Sequence, residues 1–126
     1  MSQQLLDLGP DEIRFFRGED AAYLIEVLDE NRDAANLSGT VLTMSVVRTL
    51  GGTPVITKSS TVSGEIDILF PENEGRAKVY FVPADTLGLN PGDYIYDVWA
   101  TLMSGKVITV IRPSRFTILQ PAAPPP

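Results

Sequence analysis

The feature that most constrains this chain is its rhythm. Short runs alternate apolar and polar residues, and turn formers cut them at roughly the 8–12-residue spacing of all-β sandwiches and barrels. No 3.6-residue periodicity is sustained. The runs are EIRFFR (12–17), AAYLIEVLD (21–29), TVLTMSVVRT (40–49), VITKSSTV (55–62), GEIDILF (64–70), RAKVYFV (76–82), GDYIYDVWATL (92–102), KVITVIR (106–112) and SRFTIL (114–119). The last two read as one strand interrupted at Pro113, which predicts an edge or a bulge there. Polar VITKSSTV fits an edge. ADTLGL (84–89) reads as a single helical turn with Asp85 placed to cap it. The whole predicts about eight short strands in one all-β domain.

Alternation also assigns faces, because successive side chains point to opposite sides of a sheet. Tyr23, Ile25 and Val27 share one face. So do Leu42, Met44 and Val46, and so do Ala77, Val79 and Phe81. In the run after Pro91-Gly92, Tyr94, Tyr96, Val98 and Ala100 face one way, and Ile95, Asp97, Trp99 and Thr101 the other. The stretch LGLNPGDYIYDV has the parts of the tyrosine corner of immunoglobulin-like sandwiches, in which a hydroxyl bonds back to backbone just upstream. Tyr94 would be the corner residue, with Leu89 plugging the core beneath it. Pro91 fixes φ and Gly92 is expected to permit a tight approach. The predicted fold is therefore an immunoglobulin-like β-sandwich of seven or eight antiparallel strands over residues 11–120. Residues 1–10 form an arm made sticky by Leu5, Leu6 and Leu8, either frayed or docked on a neighbouring subunit. The PAAPPP tail (121–126) is expected to be an extended polyproline segment.

The chemistry available to such a domain is narrow. Among 126 residues there is no histidine and no cysteine, so the commonest general base, the commonest metal ligand, thiolates and disulfides are all missing. A net charge of −6 disfavours binding to phosphate backbones. MSQQLLDLG has no basic n-region or long apolar h-region, and no apolar run approaches membrane-spanning length, so a chain made soluble in the cytoplasm is expected. Asp29, Asn31 and Asp33 open with the spacing of a calcium loop, but Ala34 stands where glycine is needed and Thr40 where a bidentate glutamate is needed. Glu65 and Asp67, two apart on a strand, read as a solvated face rather than a hydrolytic pair. Arg48, Lys58 and Lys78 are scattered and form no basic stripe. Neither a nucleophile motif nor a phosphate-binding glycine loop is present, so no catalytic, cofactor or metal residues are expected. Trp99 is the only tryptophan. By parity it points away from the core, either under a loop or as an anchor at an interface, where tryptophan is enriched.

Several stretches in order carry a family resemblance. They are Phe16-Arg17-Gly18-Glu19-Asp20, Asn36-Leu37-Ser38-Gly39-Thr40, a strand into Arg48 and Gly51-Gly52-Thr53-Pro54, then Pro83-Ala84-Asp85-Thr86, Pro91-Gly92-x-Tyr94-x-Tyr96-Asp97, and a closing Arg115-Phe116-Thr117-Ile118-Leu119. Over residues 12–119 the chain resembles the Ig-like module at the N-terminus of bacteriophage upper baseplate proteins, and small stand-alone proteins encoded among virion genes. The leucine-rich arm and the proline tail depart from it. The resemblance implies a non-enzymatic virion structural protein at baseplate, tail fibre, neck or capsid. Its partners would be other virion proteins and copies of itself in an oligomer or symmetric array, with no nucleic acid, membrane or cofactor. The alternative is a host-surface or carbohydrate-binding module using Trp99.

Overall fold

Among the described residues, eight strands, one short α-helix and a 3-10 turn at Glu72–Glu74 form, with the strands close to where the alternation places them. The computed structural model describes residues 9–124. In order the strands and the α-helix are β1 (Gly9–Phe16), β2 (Ala21–Glu26), β3 (Val41–Val47), β4 (Ile56–Ser59), β5 (Ile66–Ile68), β6 (Arg76–Phe81), α1 (Pro83–Leu87), β7 (Gly92–Thr101) and β8 (Val107–Leu119). They make two sheets, one of five strands in the order β1-β8-β7-β3-β4 and one of three in the order β2-β6-β5. The architecture is all-β, as the rhythm predicts. Every pairing is antiparallel except β1 with β8, which is parallel. This is a departure from the all-antiparallel expectation. β1 also starts at Gly9, inside the expected arm, because Gly9 aligns with Ser114 before the register shifts ahead of Ile13.

The sheets meet through the residues that parity turns inward. Leu42, Met44 and Val46 of β3, Ala77, Val79 and Phe81 of β6, and Tyr94, Tyr96, Val98 and Ala100 of β7 are all buried. Aromatic rings bridge the layers. Phe15 of β1 lies 5.1 Å from Phe81 of β6 and 5.5 Å from Phe116 of β8, and Phe81 lies 5.4 Å from Phe116. These tilted and edge-on contacts suit the quadrupole of each ring. Tyr23 of β2 joins the cluster 6.3 Å from Phe15 and donates its hydroxyl to the Arg14 carbonyl at 2.6 Å, tying one sheet to the other. Burial pushes the Tyr23 phenol above its usual pKa.

Pro113 sits at a bulge, not at an edge, since β8 lies between β1 and β7. Register shifts fall between Tyr96 and Val98 and again between Val98 and Trp99 of β7, so β8 carries the extra residues. Ser114, buried at the bulge, returns its hydroxyl to the Arg112 carbonyl at 2.8 Å. The interruptions keep Ile111, Ser114 and Phe116 on the inward side although their spacing is not uniformly two.

Three clasps set the connections. Tyr94 donates its hydroxyl to the Asn90 carbonyl at 2.7 Å, across the turn that enters β7, and Leu89 packs against the core nearby. Gly92 adopts φ +145°, but no atom lies within 4 Å of where a Cβ would sit. The tight approach expected of it is therefore absent, and its need for glycine is conformational. The close approach occurs instead at Gly75, where a Cβ would meet the Val27 carbonyl at 2.5 Å and the Ala35 nitrogen at 2.9 Å.

The second clasp is Arg17. Its Nε donates to the Leu89 carbonyl at 3.0 Å and its Nη2 to the Leu87 carbonyl, while the Gly18 amide donates to the Thr86 hydroxyl at 2.8 Å. A cation on the last carbonyls of a helix is favourably placed. The third is Asp85. It is not the N-cap; Val82 is, and Val82 has no side-chain acceptor. From the third helical position, Asp85 Oδ2 reaches back to the Val82 amide at 2.8 Å and also accepts from Lys58 Nζ at 2.7 Å.

Lys58 therefore departs from the scattered surface charge expected of it. It is only 6% exposed, points inward from the edge strand β4, and lies 5.4 Å from the Phe81 ring centroid. Glu65 departs likewise: it lies just outside β5 and accepts the Ser59 amide at 2.9 Å, whereas Asp67 stays exposed. Removing one member of a largely buried pair strands the other charge. Lys58→Ala should lower stability by about 2 kcal/mol, less than a fully buried pair would lose because Asp85 keeps some solvent and its amide donor. Lys58→Met with Asp85→Asn should recover most of that loss. Urea midpoints check this, and an unchanged midpoint for Lys58→Ala would refute it.

Candidate functional site

The two outer faces of the protein place their charges differently: on the five-stranded sheet Glu12, Arg14 and Arg115 lie on the flanking strands β1 and β8. On the three-stranded sheet, the outward residues are Ala22, Leu24 and Glu26 of β2, Arg76, Lys78 and Tyr80 of β6, and Asp67 of β5. Glu26 is directly opposite Arg76, and Lys78 opposite Asp67. Opposite charges in register are how a solvated sheet face is normally built. The five-stranded sheet does otherwise. Across its centre, Val41, Thr43, Ser45 and Val47 of β3 face Thr101, Trp99, Asp97 and Ile95 of β7 in register, with Val107 and Thr109 of β8 opposite Thr101 and Trp99. Asp97 is the one charged residue among these ten.

The surroundings turn this face into a groove. The turn after β3 brings Leu50, Gly51, Gly52 and Pro54 over one side, and the β8 bulge brings Pro113 to the other. The Gly52 amide closes the turn on the Thr49 carbonyl at 2.9 Å, and a Cβ on Gly52 would meet that same oxygen at 2.9 Å. Ser45, Val47, Ile95, Asp97 and Trp99 complete a concavity of about 270 Å³. Trp99 is 41% exposed and Leu50 44%. Asp97 is half-buried, and among the described residues it makes no hydrogen bond and no ion pair.

A larger concavity of about 420 Å³ lies at one end, lined by Val27, Leu28, Ala35, Leu102 and Ile108 with Lys106 at its rim. Two of its polar groups are already used by their own loops. Asp29 Oδ1 accepts from the Asn31 amide at 2.8 Å and the Asp33 amide at 3.0 Å, and Asn36 Oδ1 accepts from the Ser38 amide at 3.0 Å. The carboxylate that would open a calcium loop is thus spent on an Asx turn. Among the described residues, no group of three or more acidic side chains is arranged to hold a metal. No helix among them is long and apolar enough to cross a membrane.

The residues singled out in the sequence fall in two places. Leu89, Tyr94 and Tyr96 belong to the core, with Pro91 on the turn before β7 and Gly92 its first residue. Trp99 stands apart on the outer face. Leu5, Leu6 and Leu8 lie outside the described residues, as do the last two prolines of the tail. Asp97 was visible only as a parity neighbour of Trp99, since the walls that make it a groove residue come from elsewhere in the chain. In sequence, no protein-family model and no curated protein matches the chain.

Because Trp99 contributes to a surface and Tyr96 to the core, truncation should separate them. Trp99→Ala should change the unfolding free energy by no more than about 1 kcal/mol. Tyr96→Ala should cost about 3 kcal/mol or more, the range of large aromatic truncations in cores. Denaturant unfolding of the two variants checks this, and a Trp99→Ala loss as large as that of Tyr96→Ala would make Trp99 a folding residue.

Proposed function

We propose that this chain is a non-enzymatic assembly module of a tailed-bacteriophage virion, built as an Ig-like sandwich and attached through its five-stranded sheet. The observation that carries the assembly reading is the charge-poor centre of that sheet's outer face, where Asp97 is the one charged residue and Trp99 is exposed. A face of hydroxyl and aliphatic residues that is sparse in charge and carries an exposed tryptophan matches the composition of protein-docking surfaces. The Ig-like reading draws on the sheet membership. Taken in chain order, β3, β4, β7 and β8 fill the places of strands C, C′, F and G, with β2 and β6 in those of B and E. The Tyr94 hydroxyl on the Asn90 carbonyl supports the same reading.

The virion context rests on the ordered motifs from Phe16 to Leu119. Those motifs have structural work to do here: Arg17, Gly18, Asp85 and Thr86 clasp the first turn to the crossing before β7. The absence of histidine and cysteine leaves few means for acid–base or nucleophilic catalysis. Partners are then other virion proteins and copies of the same chain. Immunogold labelling of virions from the encoding phage tests this. Label on the head, neck or tail end would support the proposal and say where the module sits. No label on intact or disrupted particles would overturn it.

A further inference from the structure

The groove at Trp99 contains an electrostatic imbalance. Asp97 is half-buried between Ile95 and Trp99 and has no partner among the described residues. A carboxylate that loses part of its hydration without gaining a donor is costly. Opposite it lie Ser45 on β3 and the β8 bulge; Arg112 in that bulge and Arg115, opposite Ile95, are exposed and form no ion pair with it among the described residues. Asp97 and Trp99 are two apart on one strand, so their side chains emerge on the same face at roughly 7 Å spacing. A planar cation between them would touch both, pairing with the carboxylate and stacking against the indole. Leu50, Pro54 and Pro113 would cover its aliphatic stem.

We infer that this groove is the seat for an arginine side chain of a partner protein. Guanidinium fits better than ammonium because it is planar, stacks on aromatic rings and forms two parallel hydrogen bonds to one carboxylate. The chain's net charge of −6 would steer a basic segment towards it. Tryptophan and arginine are also the residues that dominate binding energy at interfaces. This inference rests on reading the face as an assembly surface, and it gives that surface's partner a chemistry.

The test uses the labelled full chain in solution. As the only tryptophan, Trp99 gives a single indole N–H signal in a nitrogen–proton NMR spectrum. The probes are N-acetyl-Leu-Arg-Leu-amide and the same peptide with citrulline, which keeps the shape and removes the charge. The arginine peptide should shift the Trp99 indole and the Ile95 and Asp97 amides, with a Kd on the order of 1–10 mM for a single anchor. The citrulline peptide should bind about tenfold more weakly, and Asp97→Asn should bring the two peptides within about twofold of each other. Equal binding of both peptides to the native chain, or no shift of these signals by either, would overturn the arginine seat. An unlabelled virion would instead overturn the assembly reading. A labelled virion with no arginine preference would leave that reading standing and remove only the arginine, so the two failures are distinguishable.

Discussion

Everything in this fold depends on the contact between Phe15, Phe81 and Phe116. No disulfide joins the two sheets, because the chain has no cysteine. The layers are held by apolar burial, and these rings are its centre. Phe15 lies on β1, Phe116 on β8 and Phe81 on β6, so the cluster joins the beginning, end and middle of the chain. Around it, the clasps of Arg17, Tyr94 and Asp85 hold the connections. Each satisfies backbone groups at a turn or helix end that would otherwise lack partners.

Much of this was legible in the sequence, because alternation with period two is a direct physical record of which face is wet. The inward sets of β2, β3, β6 and β7 follow parity, and Tyr94 could be singled out from its turn alone. What was hidden depends on partners far away in the chain. The parallel pairing of β1 with β8 joins residues about a hundred positions apart, and no local pattern encodes it. Lys58 looked like an ordinary charge in a polar run because its partner Asp85 is 27 residues on. Asp85 in turn looked like a cap, although Pro83 shifts the helix start so that it acts from inside the first turn. Gly75 carries no sequence signal beyond being glycine, yet it is the one that backbone from two other segments crowds.

The buried Lys58 also bears on how the molecule presents itself. An inward-pointing charge on a short edge strand is a device that discourages strand-to-strand addition. With β4 blunted in this way, strand addition at that edge of the five-stranded sheet is disfavoured, and the proposed contact lies on the sheet's flat face. Its central strip lacks the opposite charges in register that the other sheet has, and its own ion pair, Glu12 with Arg14, lies out on β1. The contrast between Glu26–Arg76 and Lys78–Asp67 on one side and Thr43–Trp99–Thr109 on the other is the physical basis for reading one face as solvated and the other as a docking surface.

Hydroxyl-radical footprinting reads the exposure of that face, with the protein compared alone and within its assembled particle. Met103 is 74% exposed in the isolated chain and lies off the proposed face, which makes it an internal reference. Trp99 should be oxidised readily in the isolated protein and strongly protected in the particle, relative to Met103. Equal oxidation of Trp99 in both states would mean that the outer face of the five-stranded sheet is not where this protein is held.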